Sequence, residues 1–276
     1  MSFSVTPALL NLWGYGFVLA TGLFFTVWLV AERTKNGGIV DVFWGVGFAL
    51  VAALYFGVDV FVWQNPVSIN KLLLLGMVFA WSLRLTFFLL MRFLRVYPEE
   101  DGRYLAFRKA WGDKASQGMF LAFQLQAVLL ASLCWPFAVV MSNDQINYPG
   151  NWQFLAICIF VLALAGEGLA DSQLESFKKD PANRGKVCQS GLWQYSRHPN
   201  YFFEWLVWVA FLFFVCNYPA GLYSFYCPAM MYFFLTRVTG IKATEEQALR
   251  TKGDAYKKYQ ESTSAFFPWF KSKSKE

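Results

Sequence analysis

The amino-acid sequence predicts an all-α membrane protein with seven transmembrane helices. Hydrophobic residues make up 57% of the 276 positions and charged residues only 15%, whereas soluble domains carry about 25% charged residues. The mean hydropathy is +0.36, and the charges are concentrated between long apolar runs. This composition excludes a cytosolic enzyme and a disordered chain.

Seven apolar runs are long enough to be considered as membrane crossings. Because a helix rises about 1.5 Å per residue, about 20 apolar residues cross about 30 Å of hydrocarbon. The predicted spans are residues 9–31, 39–62, 71–91, 119–141, 152–170, 200–216 and 220–237. The sixth is short, so it crosses only with little tilt or by beginning at Arg197.

The distribution of basic residues predicts the orientation of these spans. All but two of the 24 Lys and Arg lie in the segments 32–38, 92–118, 171–199 and 237–276. Because cytoplasmic loops carry the excess of Lys and Arg, we expect the N-terminus outside and the C-terminus in the cytosol. The net charge of +6 is therefore first a topology signal. Its secondary interpretations are contact with anionic membrane lipid or binding of a phosphate-bearing cofactor, and no nucleic-acid partner is expected.

Histidine and cysteine usage restricts the chemistry. His198 is the only histidine, which excludes every metal or haem site that needs two imidazoles. No metal site is predicted. The cysteines show no C-x-x-C pair and no disulfide spacing, and are expected to be small core residues: Cys134, Cys158, Cys188, Cys216 and Cys227.

Polar residues inside the predicted spans cluster toward the cytosolic half. Such groups are costly in a membrane and usually face the bundle interior or a cavity. A cavity open to the cytosol is therefore predicted, near these residues: Asp41, Arg84, Arg92, Glu167, Asp171, Asn200, Glu204 and Arg237.

The densest polar stretch runs from Tyr195 to Glu204. Pro199 suits the first position of a helix, whose free N–H groups can bind an anion. Arg197 adds a forked donor for phosphate or carboxylate, while Asn200 and Glu204, one turn apart, can bind an amide or ribose hydroxyls. The alternative is that the basic residues here only flank a span, as the positive-inside rule requires.

These motifs resemble a known family. The stretch Gly191-Leu-Trp193 through Arg197-His198-Pro199-Asn200-Tyr201-x-x-Glu204 is similar to the signature of the steroid 5α-reductase C-terminal domain family. The resemblance extends to Asp171 with Lys178 and to the tail Glu245, Tyr256, Tyr259 and Phe267-Pro268-Trp269. The N-terminal motifs resemble the uncharacterised bacterial-type branch of that family: Asp41-Val-Phe-Trp44-Gly, Trp81-Ser-Leu-Arg84-Leu and Glu100-Asp101-Gly-Arg103-Tyr104.

The resemblance implies a seven-helix membrane enzyme of lipid metabolism that uses NADPH to reduce a carbon–carbon double bond conjugated to a ketone. The substrate would be a hydrophobic, steroid-like or lipid-like small molecule. It implies one membrane domain, with a three-helix substrate side at 1–118 and a four-helix cofactor side at 119–276. The cofactor-binding residues expected from the matched motifs are Arg92, Arg95, Asp171, Lys178, Tyr195, Arg197, His198, Asn200, Tyr201, Glu204 and Arg237.

The substrate side departs from the steroid-reducing members. No Gln-Glu-Leu-Pro run is present, and Trp81 stands where those members have a tyrosine. The candidate catalytic residues are Asp41, if burial keeps it protonated, and Arg84, which would stabilise a developing enolate. Trp81 would line the pocket. Alternatively, Asp41 and Arg84 form a purely structural pair.

Two other functions compete with the reductase. The Arg-His-Pro-x-Tyr motif followed by Glu245-Glu246 also resembles membrane methyltransferases of the isoprenylcysteine carboxyl type, which would make S-adenosylmethionine the cofactor. The N-terminal motifs favour the reductase branch. The third possibility is a non-catalytic protein that binds lipid. The expected location is the cytoplasmic membrane of a bacterium or the endoplasmic reticulum of a eukaryote, and no protein partner is inferred.

Overall fold

The computed structural model describes residues 4–271, and every regular element in that range is helical. Capping residues explain several boundaries. Thr6 accepts a hydrogen bond from the Leu9 amide at 3.2 Å, and Pro7 occupies the first helical position, where its missing N–H is tolerated. The α-helices are α1 Pro7–Thr34, α2 Ile39–Gly57, α3 Ile69–Val96, α4 Gly102–Trp111, α5 Ala115–Leu133, α6 Trp135–Met141, α7 Asn151–Lys179, α8 Pro199–Val215, α9 Tyr226–Phe233, α10 Ile241–Lys252 and α11 Asp254–Ser262.

Five helical stretches of the described chain are long and apolar enough to cross a membrane. They are Pro7–Thr34, Ile39–Val62, Ile69–Val96, Gly102–Leu133 and Asn151–Lys179. The predicted helical class and the presence of membrane-spanning helices are thereby confirmed.

The remaining predicted spans are shorter or irregular. α8 has 17 residues, and residues 220–237 are divided among the 3₁₀ turn Gly221–Phe225, α9 and the π turn Phe234–Val238. The fourth span, expected at 119–141, lies instead at Gly102–Leu133. Its helix ends at Leu133, three residues before Pro136, because proline cannot donate the hydrogen bond that would continue the helix.

The described chain forms two compact units. The first contains residues 4–150 and 215–222, and the second contains residues 151–214 and 223–271. α5 packs against α1 and α4 and lies in the first unit.

Close helix packing in the first unit depends on glycine. The Ser82 hydroxyl of α3 donates to the Gly45 carbonyl of α2 at 2.6 Å. A Cβ at Gly45 would lie 2.5 Å from Thr86 Oγ1 and 2.9 Å from the Thr86 nitrogen. Gly45 therefore lets the backbones of α2 and α3 approach each other.

A buried ionic cluster joins three segments of the first unit. Lys71 Nζ lies 2.5 Å from Asp59 Oδ2 and 2.7 Å from Asp144 Oδ1. The side chains of Lys71 and Asp59 are 1% and 0% exposed, and Asn65 donates to the other Asp59 oxygen at 2.9 Å. Since buried charges are stable only when paired, this cluster holds α3 against the end of the second span and the 142–150 loop.

In the second unit, a short 3₁₀ turn, Gly191–Gln194, sets the position of α8. The Trp193 indole donates to the Ala170 carbonyl at 3.0 Å, and Gln173 Oε1 accepts from the Leu192 amide at 2.9 Å. Gly191 has φ +59°, and a Cβ there would lie 2.4 Å from the Gln173 amide nitrogen. The turn therefore packs on α7 and places the start of α8 beside the C-terminal half of that helix.

Candidate functional site

Asp171 and Asn200 meet in the second unit, although they belong to different helices. The Asn200 side-chain amide donates to Asp171 Oδ1 at 3.2 Å. Asn200 Oδ1 accepts from the Tyr201 backbone amide at 3.0 Å, which fixes the orientation of the Asn200 amide group. Two of the predicted cofactor-binding residues are therefore brought together where α7 and α8 lie side by side.

Glu204 lies one helical turn beyond Asn200 and is half-buried. The buried Trp208 indole donates to Glu204 Oε1 at 3.3 Å. This contact orients the carboxylate along α8. Asn200 and Glu204 therefore occupy the same side of α8, as their four-residue spacing predicts.

Arg197 binds the C-terminal part of the second unit. Its Nε donates to Glu245 Oε1 at 2.6 Å, and its Nη1 donates to the carbonyls of Gln260 at 3.0 Å and Thr263 at 2.5 Å. The Arg197 and Glu245 side chains are 10% and 14% exposed. The guanidinium is thus directed toward α10 and α11, where it joins three segments of chain.

His198 shares the same carboxylate. Its Nε2 lies 3.1 Å from Glu245 Oε1, and because a carboxylate only accepts hydrogen bonds, Nε2 carries the proton. Burial lowers the pKa of His198 below its ordinary 6.5, against the opposing influence of Glu245. The Tyr201 ring stacks on the imidazole with centroids 5.4 Å apart and planes 5° apart. His198 is therefore a neutral imidazole that donates a hydrogen bond to Glu245.

Glu245 is the centre of this cluster. Burial alone would raise its pKa, but hydrogen bonds from His198, Arg197 and Gln260 outweigh burial and lower the pKa to about 2. Gln260 Nε2 donates to Glu245 Oε2 at 2.7 Å. The hydroxyl of Tyr256 lies 3.4 Å from Oε1. The ionised carboxylate of Glu245 therefore accepts hydrogen bonds from four side chains of the second unit.

A positively charged region lies at the ends of α7 and α10. Lys178 is exposed in the last turn of α7, and Lys252 is the last residue of α10. Burial and the positive charge of Lys178 lower the pKa of Lys252. Of the other predicted residues in this unit, Arg237 is exposed in a π turn, and Tyr195 is 37% exposed.

The predicted catalytic residues belong to the first unit. Asp41 Oδ1 accepts from the Tyr104 hydroxyl at 2.7 Å, and Oδ2 accepts from Arg103 Nη2 at 2.6 Å. Asp41 thus accepts hydrogen bonds from two side chains of α4 and forms an ion pair with Arg103. Trp81 is fully buried and packs on Phe48 with centroids 4.9 Å apart.

The basic residues after α3 continue this network. Arg92 Nη2 lies 3.2 Å from Asp101 Oδ2, and Arg103 Nε donates to Asp101 Oδ1 at 3.0 Å. Burial would raise the pKa of Asp101, but hydrogen bonds and charge from Arg103, with the charge of Arg92, lower it to about 2. Arg95 is exposed in the last turn of α3. A shallow cleft here is lined by Gly38, Asp41, Leu89, Arg92, Phe93, Val96 and Asp101.

Sequence reasoning missed several partners. Arg103 and Tyr104 were noted only as part of a motif, and Lys252 and Gln173 were not singled out. Arg103 and Tyr104 lie two and three residues after Asp101, the residue that caps the start of α4. Within residues 4–271, no group of three His, Cys, Asp or Glu side chains is placed to hold a metal ion.

The fold and the site define a class of helical membrane proteins in which a polar network surrounds the start of an apolar helix. The chain belongs to the family described as protein of unknown function (DUF1295), whose pattern matches residues 27–263. It is also similar to a Schizosaccharomyces pombe protein called "Uncharacterized protein C594.04c", with 25% identity over 209 residues. This match covers 68% of the chain and 60% of the relative, so part of the relative's length lies outside it. No solved structure matches the chain significantly.

Proposed function

We propose that this protein is a membrane-embedded, NADPH-dependent reductase of a conjugated carbon–carbon double bond in a hydrophobic substrate. The observation that carries the proposal is the 3.2 Å hydrogen bond between Asn200 and Asp171. It brings an amide and a carboxylate from two motif segments together, and both groups can bind the amide and ribose hydroxyls of a nicotinamide dinucleotide. Glu204 extends the same polar surface along α8.

The charges around these residues support a dinucleotide with phosphates. Lys178 follows Asp171 by seven residues on α7, which is about two helical turns, and the charge of Lys178 acts on Lys252. Two lysines attract phosphate oxygens as point charges. S-adenosylmethionine has a cationic sulfonium and no phosphate, so the same lysines disfavour it.

The bound cofactor would supply the hydride. The residues of this chain would bind and orient it: Asn200, Asp171 and Glu204 at polar groups, and Lys178 and Lys252 at phosphates. Arg197 and His198 act indirectly in this proposal, because they hold Glu245 and so fix the start of α8 on which Asn200 stands.

The proposal also includes seven membrane spans and their orientation in the membrane. α8 is the sixth span, at about 25 Å with little tilt, and the helical stretch from Gly221 to Val238 is the seventh. The N-terminus lies outside and the C-terminus in the cytosol, because the basic residues of the sequence follow the positive-inside rule. The cofactor then enters from the cytosol and the apolar substrate from the bilayer.

The identity of the cofactor can be tested by measuring how candidate ligands change the thermal stability of the purified protein. A ligand at 100 times its Kd raises the free energy of unfolding by about 2.7 kcal/mol. We expect a higher unfolding temperature with NADPH and no change with S-adenosylmethionine. Stabilisation by S-adenosylmethionine alone would assign the chain to the methyltransferases, and stabilisation by neither would favour a non-catalytic lipid-binding role.

Two variants test whether Glu204 and Lys178 belong to the cofactor site. Glu204→Ala and Lys178→Ala should remove or weaken the NADPH effect while the protein stays inserted and monodisperse. Lys179→Ala is the matched control, since this lysine is the exposed neighbour of Lys178. If Glu204→Ala retained the full NADPH effect, Glu204 would not belong to the cofactor site.

A further inference from the structure

The last described segment of the chain, residues 264–271, is not helical but is firmly attached. It runs beside residues 195–197 of the motif. The attachment consists of hydrogen bonds from the Arg197 amide to the Ser264 carbonyl at 2.8 Å, from Ser196 Oγ to the Phe266 carbonyl at 2.9 Å, and from the Trp269 amide to the Tyr195 carbonyl at 2.9 Å. Its backbone position is therefore fixed by the start of α8.

This C-terminal segment has two different aromatic faces. Phe266 is buried and contacts Trp205 and Tyr232 with centroid distances of 5.9 and 5.2 Å. Trp269 and Phe270, in contrast, are 71% and 78% exposed. Two adjacent large aromatic side chains are thus held on the surface by an attached backbone, outside any spanning helix.

The position of the segment along α8 indicates the membrane depth at which Trp269 and Phe270 lie. Phe267 contacts Phe202 and Trp205 with centroid distances of 6.0 and 5.7 Å, and both partners lie in the first two turns of α8 after Pro199. The segment is therefore level with the beginning of an apolar helix. Trp and Tyr are enriched at that depth in membrane proteins, where the hydrocarbon meets the headgroups.

The sequence directly after the aromatics adds positive charge. Lys271 is exposed, and the sequence continues with Lys273 and Lys275 against the single acidic residue Glu276. Lysines near the membrane surface attract anionic lipid headgroups.

We propose that residues 264–271 form an interfacial membrane anchor that prefers anionic lipid. Trp269 and Phe270 enter the headgroup region of the bilayer in which α8 lies, and the positive charge that follows them in the sequence attracts anionic lipids. The anchor would hold the Arg197 cluster close to the membrane surface. It does not depend on the reductase assignment, since it uses none of the proposed cofactor residues.

Site-specific photo-crosslinking of the full-length chain tests the anchor. Trp269 or, in a second variant, Phe270 is replaced by benzoylphenylalanine, and the protein is placed in vesicles of phosphatidylcholine or of equal parts phosphatidylcholine and phosphatidylserine. Because both positions are exposed, the substitutions should leave the fold intact. We expect mass spectrometry to detect lipid adducts. In the mixed vesicles, more than half of these adducts should contain phosphatidylserine, which is more than its share of the lipid. The same probe at Lys257, an exposed position of α11, is the control and should give no lipid adduct.

A charge variant separates the two parts of the anchor. Replacement of Lys271, Lys273 and Lys275 by Gln should abolish the phosphatidylserine excess and retain phosphatidylcholine adducts. The proposal of a membrane anchor would be wrong if both probes crosslinked only to protein, either within the same chain or to a second copy. Equal adduct yields on the two lipids in the chain with all three lysines would overturn its preference for anionic lipid.

Discussion

Arg197 Nε and Glu245 Oε1 lie 2.6 Å apart, although the two residues are separated by 48 positions in the sequence. This ion pair connects Arg197, two residues before α8 begins, to the first turns of α10. His198 joins the same oxygen, so the two basic residues of the most informative motif share one acidic partner. The resulting cluster is the main polar connection between the start of α8 and the C-terminal helices.

Removal of Glu245 should strongly destabilise the second unit. Glu245→Ala leaves the nearly buried Arg197 without its counter-charge, and loss of one partner of a buried charge pair costs about 2 to 4 kcal/mol. The thermal unfolding midpoint in detergent should fall accordingly. Glu246→Ala, at the exposed neighbouring residue, is the control and should change it little.

Acidification should weaken the same cluster in two steps. The folded-state pKa of His198 is lower than its ordinary 6.5, so the unfolded chain binds a proton first, and stability falls as the pH drops below 6.5. The pKa of Glu245 is lowered from 4.5 to about 2, so its contribution is complete above 4.5 and is lost as the pH falls toward 2. His198→Gln should remove only the first step in a series of unfolding midpoints against pH.

The buried lysine of the first unit should be intolerant of single replacement. Lys71→Met leaves Asp59 charged and fully buried, which costs about 3 to 5 kcal/mol. Asp144→Asn should cost much less, because the Asp144 side chain is 38% exposed. In unfolding experiments, the double variant Lys71→Met with Asp59→Leu should recover much of the loss. A double variant as unstable as Lys71→Met would contradict the charge explanation.

Gly45→Ala should destabilise the packing of α2 on α3. Its Cβ would meet backbone atoms of Thr86 within 3.0 Å, and overpacking of this kind costs about 1 to 3 kcal/mol. Gly57 is the matched control because it also lies in α2 and a Cβ there has no atom within 4 Å. Gly57→Ala should be neutral or slightly stabilising, since alanine restricts the unfolded chain. Equal loss in both variants would argue against the steric account.

Apolar periodicity and length were sufficient to predict the long helices. The span expected at 39–62 coincides with Ile39–Val62, because a continuous apolar run without proline has few alternatives to a helix in a membrane. The fourth span was placed too late in the chain, since hydropathy does not detect the break at Cys134 before Pro136. The irregular turns around α9 were missed for the same reason.

The candidate site was predictable only in part. Motif spacing identified Asp171 and Asn200, which the structure joins, but spacing cannot show which partner a charged side chain chooses across the fold. Asp41 pairs with Arg103 and Tyr104, and Arg197 with Glu245. Both choices depend on how helices distant in sequence pack, and no local pattern contains that information.

The Arg197 cluster also has a consequence for biosynthesis. Arg197 leaves the ribosome 48 residues ahead of Glu245 and 66 residues ahead of the Thr263 carbonyl. Until those residues have been translated, its guanidinium and the neighbouring imidazole lack the carboxylate that they share in the folded protein. The start of α8 therefore reaches its final arrangement only after residues 245–263 have been synthesised, and nascent chains that stop before residue 245 cannot form it.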